Sequence, residues 1–326
     1  MGKRYRWGIL GTAEISREII RGIREGDGGE LRAVASRDID KAERWAGEHD
    51  IPLAFGSYAD LLRSGEVDLI YNPLPNSLHA RWTVEALNAG HCVLCEKPIA
   101  LNAQEAQAIA DAAERNGLHV AEAMMYRFHP QWNRIFELIQ SGVIGRVETL
   151  HSQFTFMLDD PAANPASSEL GGGALMDVGC YCVDFSRMIA GSEPVRVCAL
   201  EKRKQVDETM VGLLEFPGGV LAHFETSITN YERHRAEIAG AEGSIVLPSP
   251  WIPGDEAADI VLNRADHAPE TIRVPPANSY QLEVEEFVAV ANGEAAPARP
   301  IADAVANMQA IDALFCSARE WAAVTV

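Results

Sequence analysis

Within residues 1–122, short apolar runs of strand length alternate with stretches of helix length, and few folds accept that rhythm. The runs at 5–10, 31–35, 67–71, 91–95 and 118–121 have strand character, and helix-like stretches lie at 13–25, 39–49, 58–63, 78–89 and 103–116. Asn102, followed three residues later by Glu105, has the form of a capping box for the last of these, and Gly117 closes it. Strands separated by helices pair in parallel through right-handed crossovers. Five or six of them predict a doubly wound α/β sheet with helices on both faces.

Beyond about residue 123 the pattern changes. A helix at 130–140 leads to a strand at 146–156, and a turn over Gly171, Gly172 and Gly173 opens a helix reaching to about 189. Strand candidates follow at 195–202, 208–216, 220–228 and 236–239, with Gly218-Gly219 as a hairpin signal. Consecutive strands with short turns predict a large, mainly antiparallel open sheet in an α+β domain. Residues 248–256 read as an irregular loop, and helices at 281–291 and 302–322 end the chain. Two domains, 1–122 and 123–326, suit a chain of 326 residues.

The formal charge of −19, from 28 basic and 47 acidic side chains, repels polyphosphate backbones and anionic lipid. Nucleic acid and membrane are therefore poor partners, and an anionic ligand needs a local cluster of donors. No apolar run approaches the roughly 20 residues of a membrane span. Met1 to Arg6 leads into the first strand without an apolar leader, so a cytoplasmic protein is expected. The six cysteines read as buried reduced thiols. Cys92 and Cys95 point to opposite faces of a strand, Cys180 and Cys182 flank Tyr181, and no companion pair has zinc spacing, so no metal site is expected.

The donors gather first at the turn Gly11-Thr12-Ala13-Glu14-Ile15-Ser16. On the dinucleotide fingerprint of the Rossmann fold, Gly11 takes the first glycine, while Ala13 and Ser16 stand at the second and third. The match is degraded, yet Gly11 permits the sharp turn, and Thr12 and Ala13 let backbone approach a pyrophosphate at the start of a helix. At the end of the second strand an NAD site places a carboxylate, whereas this chain reads Ala35-Ser36-Arg37, with Lys41 a helical step on. A hydroxyl and a forked guanidinium suit a ribose 2′-phosphate, so NADP is the expected cofactor. Asp38 leaves NAD open, and a solvated surface arginine is the plain alternative for Arg37.

Three further clusters carry chemistry: Asn72-Pro73-Leu74-Pro75-Asn76-Ser77-Leu78-His79, Glu96-Lys97-Pro98, and the stretch from Gly171 to Tyr181. The first two follow parallel strands, at the edge where open α/β sheets bind ligands. With the Glu-Lys-Pro tripeptide there and Asp177-x-Gly179-x-Tyr181 later, nearly the whole chain resembles the glucose–fructose oxidoreductase, inositol dehydrogenase and rhizopine-catabolism (Gfo/Idh/MocA) family. Glu122-Ala-Met-Met-Tyr126-Arg127-Phe128-His129-Pro130 is most similar to its branch of NADP-dependent D-xylose dehydrogenases and dimeric dihydrodiol dehydrogenases. The resemblance implies that Lys97 is the catalytic lysine with a cis bond to Pro98, and that Tyr181 is its acid/base partner. It also implies that Pro73, Leu74, Asn76, His79, Glu96 and Lys97 lie along the cofactor. Inositol dehydrogenases carry His where this chain has Tyr181, which argues against an inositol substrate.

The chemistry is sufficient in itself. Taking hydride from a carbinol requires removal of the hydroxyl proton, and a free tyrosine of pKa near 10 is a poor base at neutral pH. An adjacent ammonium that lowers it by two to three units supplies roughly 3 to 4 kcal/mol. Asp177, four residues before Tyr181 on a predicted helix, shares its face and is placed to orient a substrate hydroxyl or Lys97. Plainer readings stay open: Tyr181 as a core tyrosine, Lys97 as a surface lysine, Asn76 as the cap of a helix beginning near 78, and His79 on its first turn. Arg127 and His129 either bond sugar hydroxyls or make interdomain contacts.

The expected protein is an oxidoreductase moving hydride between NADP(H) and a sugar or related polyol, foremost an aldose oxidised at C1 to a lactone. A trans-dihydrodiol dehydrogenase or carbonyl reductase is the second reading, and an NADP(H)-sensing binding protein the third, which needs neither Lys97 nor Tyr181. Residues 1–122 would bind the cofactor. Residues 123–326 would bind substrate and, through the far face of the open sheet, pair copies into a homodimer or homotetramer.

Overall fold

The computed structural model describes residues 4–160 and 163–326. The chain forms two compact units, one reaching to Met125 and including Asn278–Val305, the other comprising Tyr126–Ala277 and Ala306–Val326. The first begins β1 (Arg6–Leu10), α1 (Ser16–Glu25), β2 (Glu30–Ala35), α2 (Ile39–Glu48), β3 (Leu53–Phe55) and α3 (Tyr58–Arg63). It continues β4 (Leu69–Asn72), α4 (Asn76–Asn88), β5 (Cys92–Glu96), α5 (Ala103–Asn116) and β6 (Val120–Ala123). After these come α6 (Gln131–Gln140), β7 (Val147–Met157), α7 (Cys180–Ala190), β8 (Arg196–Arg203), β9 (Asp207–Glu215) and β10 (Leu221–Ser227). The chain ends β11 (Thr229–Gly240), β12 (Gly243–Leu247), β13 (Ala258–Arg264), β14 (Glu270–Val274), α8 (Ser279–Ala291), α9 (Ile301–Glu320) and β15 (Val324–Thr325).

In the first unit six parallel strands run in the order β3-β2-β1-β4-β5-β6, and the order reverses between β1 and β4. The inner strands are apolar on both faces, with Trp7, Ile9, Leu10, Leu69, Ile70, Val93 and Leu94 buried, as a sheet covered by helices on each side requires. The strand absent from the five apolar runs is β3, an edge strand of three partly buried residues. It is too short for periodicity to show. Helix α5 starts and stops where its caps stand: Asn102 Oδ1 accepts from the Glu105 N–H at 2.9 Å, and Gly117 is left-handed with φ 62°. Helix α1 begins at Ser16 rather than 13, because the chain needs Gly11 to Ile15 to turn out of β1.

Residues 278–305, which linear order puts in the second domain, pack with the first unit. Val284, Phe287 and Val288 of α8 join Trp7, Ile19 and Ile23 in one buried cluster. Gly22 admits the approach, since a Cβ there would lie 2.9 Å from the Tyr280 carbonyl oxygen.

The second unit holds a nine-stranded sheet in the order β14-β13-β12-β11-β7-β10-β9-β8-β15, antiparallel except for the β7–β10 pair. Strands β12, β13 and β14 extend it beyond the sequence expectation. In β13 Ile260 and Leu262 are buried while Asp259 is exposed, so its polar face hides the strand from an apolar scan. Along β8, β9 and β10, buried Val197, Ala199, Met210, Leu214, Ala222 and Phe224 alternate with exposed Leu200, Val211, Leu213 and Leu221. Both faces of this part of the sheet are thus apolar. Among the described residues no helix is long and apolar enough to cross a membrane.

Candidate active site

The carboxyl ends of β1, β2, β4 and β5 bring most of the expected cofactor residues to one edge of the first unit. The turn after β1 rests on Gly11, whose φ of 97° excludes a comfortable side chain. Its N–H donates to the Ala35 carbonyl at 2.7 Å, and a Cβ would meet Leu74 Cδ2 at 3.0 Å. The β1, β2 and β4 ends therefore meet around one glycine, at the point where the strand order reverses. Thr12 and Ala13 are partly buried in the turn that precedes α1.

At the end of β2, Ser36 is buried and Arg37 exposed. Arg37 hydrogen-bonds Tyr58, whose phenol burial pushes up and Arg37 pulls back. Asp38 is the N-cap of α2 and accepts from the Lys41 N–H at 3.3 Å. Its carboxylate is committed to a helix end, while the side chains of Arg37 and Lys41 face solvent.

The loop after β4 is held by buried side chains. Asn72 donates to Thr83 Oγ1 at 3.0 Å and to the His79 carbonyl at 3.3 Å, and accepts from the Leu74 N–H at 3.3 Å. Helix α4 starts at Asn76 itself after Pro75, so Asn76 is a first-turn residue and not the cap of a helix beginning near 78. Pro73 and Leu74 are buried. His79 is fully buried, with Nδ1 2.8 Å from the Pro98 carbonyl and Nε2 2.5 Å from the Leu74 carbonyl. Burial lowers its pKa to about 4 against the pull of both carbonyls, and with a single N–H the neutral ring donates to one of them while its bare nitrogen faces the other. That leaves neither nitrogen for a cofactor.

The Lys97–Pro98 bond is cis, and Lys97 is partly buried. Glu96 accepts the Tyr71 hydroxyl at 2.7 Å and the Lys97 N–H at 3.2 Å. Burial raises the Glu96 carboxyl, opposed by Lys97 and Tyr71. The Ile99 N–H donates to Glu122 Oε1 at 2.8 Å, and Glu122 Oε2 accepts from Arg299 Nη1 at 2.8 Å.

In the second unit Tyr181 is buried among aromatic rings, 5.6 Å from Tyr126, 5.4 Å from Phe154 and 6.1 Å from Trp251 between centroids. Trp251 belongs to the 248–256 loop and donates to the Gln153 carbonyl at 2.8 Å. The helix expected from 173 is π-helical over Leu175–Gly179 before α7 begins. Its first turn is set from the sheet: Asp207 Oδ2 accepts from the Leu175 N–H at 2.7 Å, and Thr226 Oγ1 donates to the Ala174 carbonyl at 3.0 Å. Partly buried Asp177 lies inside this wide turn, a form found often at functional sites.

Arg127 is placed differently from a free sugar ligand. Its Nε and Nη2 bond Asp184 at 2.7 and 2.6 Å, and the Tyr126 hydroxyl reaches the same carboxylate at 2.5 Å. Sequence reading missed Asp184, although its place three residues after Tyr181 on α7 was a signal. His129 Nδ1 accepts from the Gln131 N–H at 3.2 Å, which leaves Nε2 carrying the proton, buried and without a hydrogen-bond partner.

The family model described as "Oxidoreductase family, NAD-binding Rossmann fold" matches residues 5–124, and the GFO/IDH/MocA C-terminal domain model matches residues 132–246. An uncharacterised oxidoreductase of Rhizobium meliloti is 40% identical over 90% of each chain. The chain belongs to the GFO/IDH/MocA oxidoreductase family. A D-xylose 1-dehydrogenase (NADP(+)) of Haloferax volcanii is 38% identical over 98% of each chain. A trans-1,2-dihydrobenzene-1,2-diol dehydrogenase of Xenopus laevis is 34% identical over 76% of this chain and 77% of its own. A 3-ketoreductase from Actinomadura kijaniata, solved with NADP and TDP-benzene, superposes with a TM-score of 0.92 at 26% identity over 97% of this chain and 98% of its own. As a GFO/IDH/MocA protein the chain is a dinucleotide-dependent oxidoreductase, and the Gly11 turn lies where a Rossmann unit receives pyrophosphate.

Proposed function

We propose that this GFO/IDH/MocA protein oxidises an aldose at C1 to the lactone, with NADP+ as the acceptor. The observation that carries the cofactor choice is the β2 end, where Arg37 and Lys41 are exposed while Asp38 is committed to capping α2. A guanidinium and an ammonium there favour a ribose bearing a 2′-phosphate. Gly11, Thr12 and Ala13 would hold the pyrophosphate, and the 73–76 loop with Glu96 and Lys97 would hold the nicotinamide end. When bound, the nicotinamide supplies the hydride acceptor. Tyr181, as phenolate, takes the hydroxyl proton while the carbinol C–H bond breaks and the C=O bond forms. Lys97 is proposed to supply the positive charge that the reaction calls for, and Asp177 and His129 Nε2–H are proposed to bind substrate hydroxyls.

The xylose dehydrogenase relative supports an aldose substrate. The dihydrodiol dehydrogenase relative favours a second reading, oxidation of a cyclic trans-diol by the same groups. The exposed Leu200, Val211, Leu213 and Leu221 on adjoining strands make a second copy of this chain the proposed partner of the sheet's outer face. A cytoplasmic location is proposed with it.

A panel of aldoses, inositols and trans-diols with NADP+ and NAD+, followed by nicotinamide absorbance, decides between these. Turnover of an aldose with NADP+ at least about tenfold better than with NAD+ is expected, a difference of about 1.4 kcal/mol. Turnover confined to diols establishes the second reading, and no alcohol oxidation with either dinucleotide rejects both.

A further inference from the structure

The turn that carries Lys97 is tied on three sides by groups from distant parts of the first unit. Before it, the Lys97 N–H is held by Glu96, itself bonded to Tyr71. Behind it, the Pro98 carbonyl meets His79 Nδ1 at 2.8 Å. After it, the Ile99 N–H meets Glu122 Oε1 at 2.8 Å. Glu122 has no exposed side-chain surface, and its other oxygen is occupied by Arg299, 177 residues further on. Arg299 in turn gives its Nε to Asp303 at 2.6 Å and has a side-chain exposure of 6%. Glu283 and Glu96 are buried in the same neighbourhood, Glu283 acting electrostatically on and being acted on by Glu96, Glu122 and Arg299.

We infer that Arg299, acting through Glu122, is a positioning residue that fixes the Lys97 turn for hydride transfer. The inference rests on the role assigned to Lys97 above. A buried ion pair gains little net stability, because desolvation of both ions offsets their attraction. What this pair does is hold a carboxylate oxygen against one backbone N–H, two residues from the reacting ammonium. By holding Oε2, Arg299 sets where Oε1 meets the Ile99 N–H. Asp303 fixes the guanidinium in turn. Misplacing a catalytic group by about 1 Å costs on the order of a hundredfold in rate, so a tether two residues away is close enough to be felt.

The test compares the wild type with Arg299→Met, Arg299→Lys and the double variant Glu122→Gln/Arg299→Met. The double variant removes both charges and leaves an amide oxygen for Ile99, so it folds without a buried unpaired anion. Two readouts are taken: kcat and KM with NADP+ and the accepted alcohol, and titration of Lys97 by NMR after reductive 13C-methylation. Lys97 is one of only five lysines in the chain, which makes its resonance assignable. Arg299→Met and the double variant are expected to lose about 10- to 100-fold in kcat with KM for NADP+ within about threefold. Their Lys97 midpoint is expected to move by about half a unit or more, and Arg299→Lys to recover most of both effects. Wild-type kcat and an unmoved Lys97 midpoint in the double variant would overturn the inference. A wild-type protein that oxidises no alcohol would instead reject the proposed function, and the Lys97 titration alone would then decide whether Arg299 holds this turn.

Discussion

Asp184 is a fully buried carboxylate that receives Tyr126 and both arms of Arg127, with Arg187 3.9 Å away. It lies one turn beyond Tyr181 on α7 and ties that helix to the segment after β6. Removing its charge takes from Arg127 the buried carboxylate that both its arms meet, so Asp184→Asn is expected to cost about 3 to 5 kcal/mol in urea unfolding; a loss below about 1 kcal/mol would show that the cluster is not holding α7. At the β2 end the expectation concerns selectivity. Charge-assisted hydrogen bonds contribute about 1.5 to 3 kcal/mol, so Arg37→Ala should raise KM for NADP+ by about 10- to 150-fold and leave KM for NAD+ within about threefold. Equal changes for both dinucleotides would remove Arg37 from the 2′-phosphate site. Lys97, Ser36 and Arg37 came forward as candidates from strand ends and Tyr181 from a motif. Glu122 and Arg299 gave no such signal, since their pairing spans 177 residues.

Among the elements, those with local signals were read closely. Helix α3 spans Tyr58–Arg63 and α5 Ala103–Asn116, as their caps at Ser57 and Asn102 dictate. The π-helical turn over Leu175–Gly179 was illegible, because the hydrogen bonds shaping it come from Asp207 and Thr226 on β9 and β10. Burial raises the Asp207 pKa to about 6 from 3.8, opposed by the Leu175 N–H. A carboxyl whose folded pKa is raised contributes stability below its unfolded pKa and loses it as pH rises through the folded value. Asp207→Asn keeps an oxygen for Leu175 but cannot ionise. Its unfolding free energy relative to wild type is therefore expected to improve between about pH 4 and pH 7, by at most about 3 kcal/mol. A constant difference across that range would mean that Asp207 is not buried in the way described. Gly11 belongs to this scale as well: Gly11→Ala meets both a positive φ and Leu74, and a cost of about 1 to 2 kcal/mol with weaker dinucleotide binding is expected.

For the whole chain, the alternation of the first 122 residues announced the parallel sheet, and the strand-after-strand rhythm announced the second one. Packing of α8 with the first unit was not legible, because it depends on Gly22 and the 280s meeting across more than half the chain. The outer face of the second sheet exposes Leu200 at 55% and Leu213 at 55%, a contiguous patch of the kind that marks an interface. Leu200→Asp/Leu213→Asp is expected to convert an oligomer to monomer in light scattering while preserving the circular dichroism spectrum. A wild-type monomer at the same concentration would remove that face from any assembly.

The central claim is that the Tyr181 phenol takes the substrate proton. It is tested most directly by single-turnover hydride transfer in Tyr181→Phe, with NADPH affinity measured in parallel. The expected result is a rate lower by about 10²- to 10⁴-fold with Kd for NADPH within about threefold of wild type; a rate within threefold of wild type would contradict it.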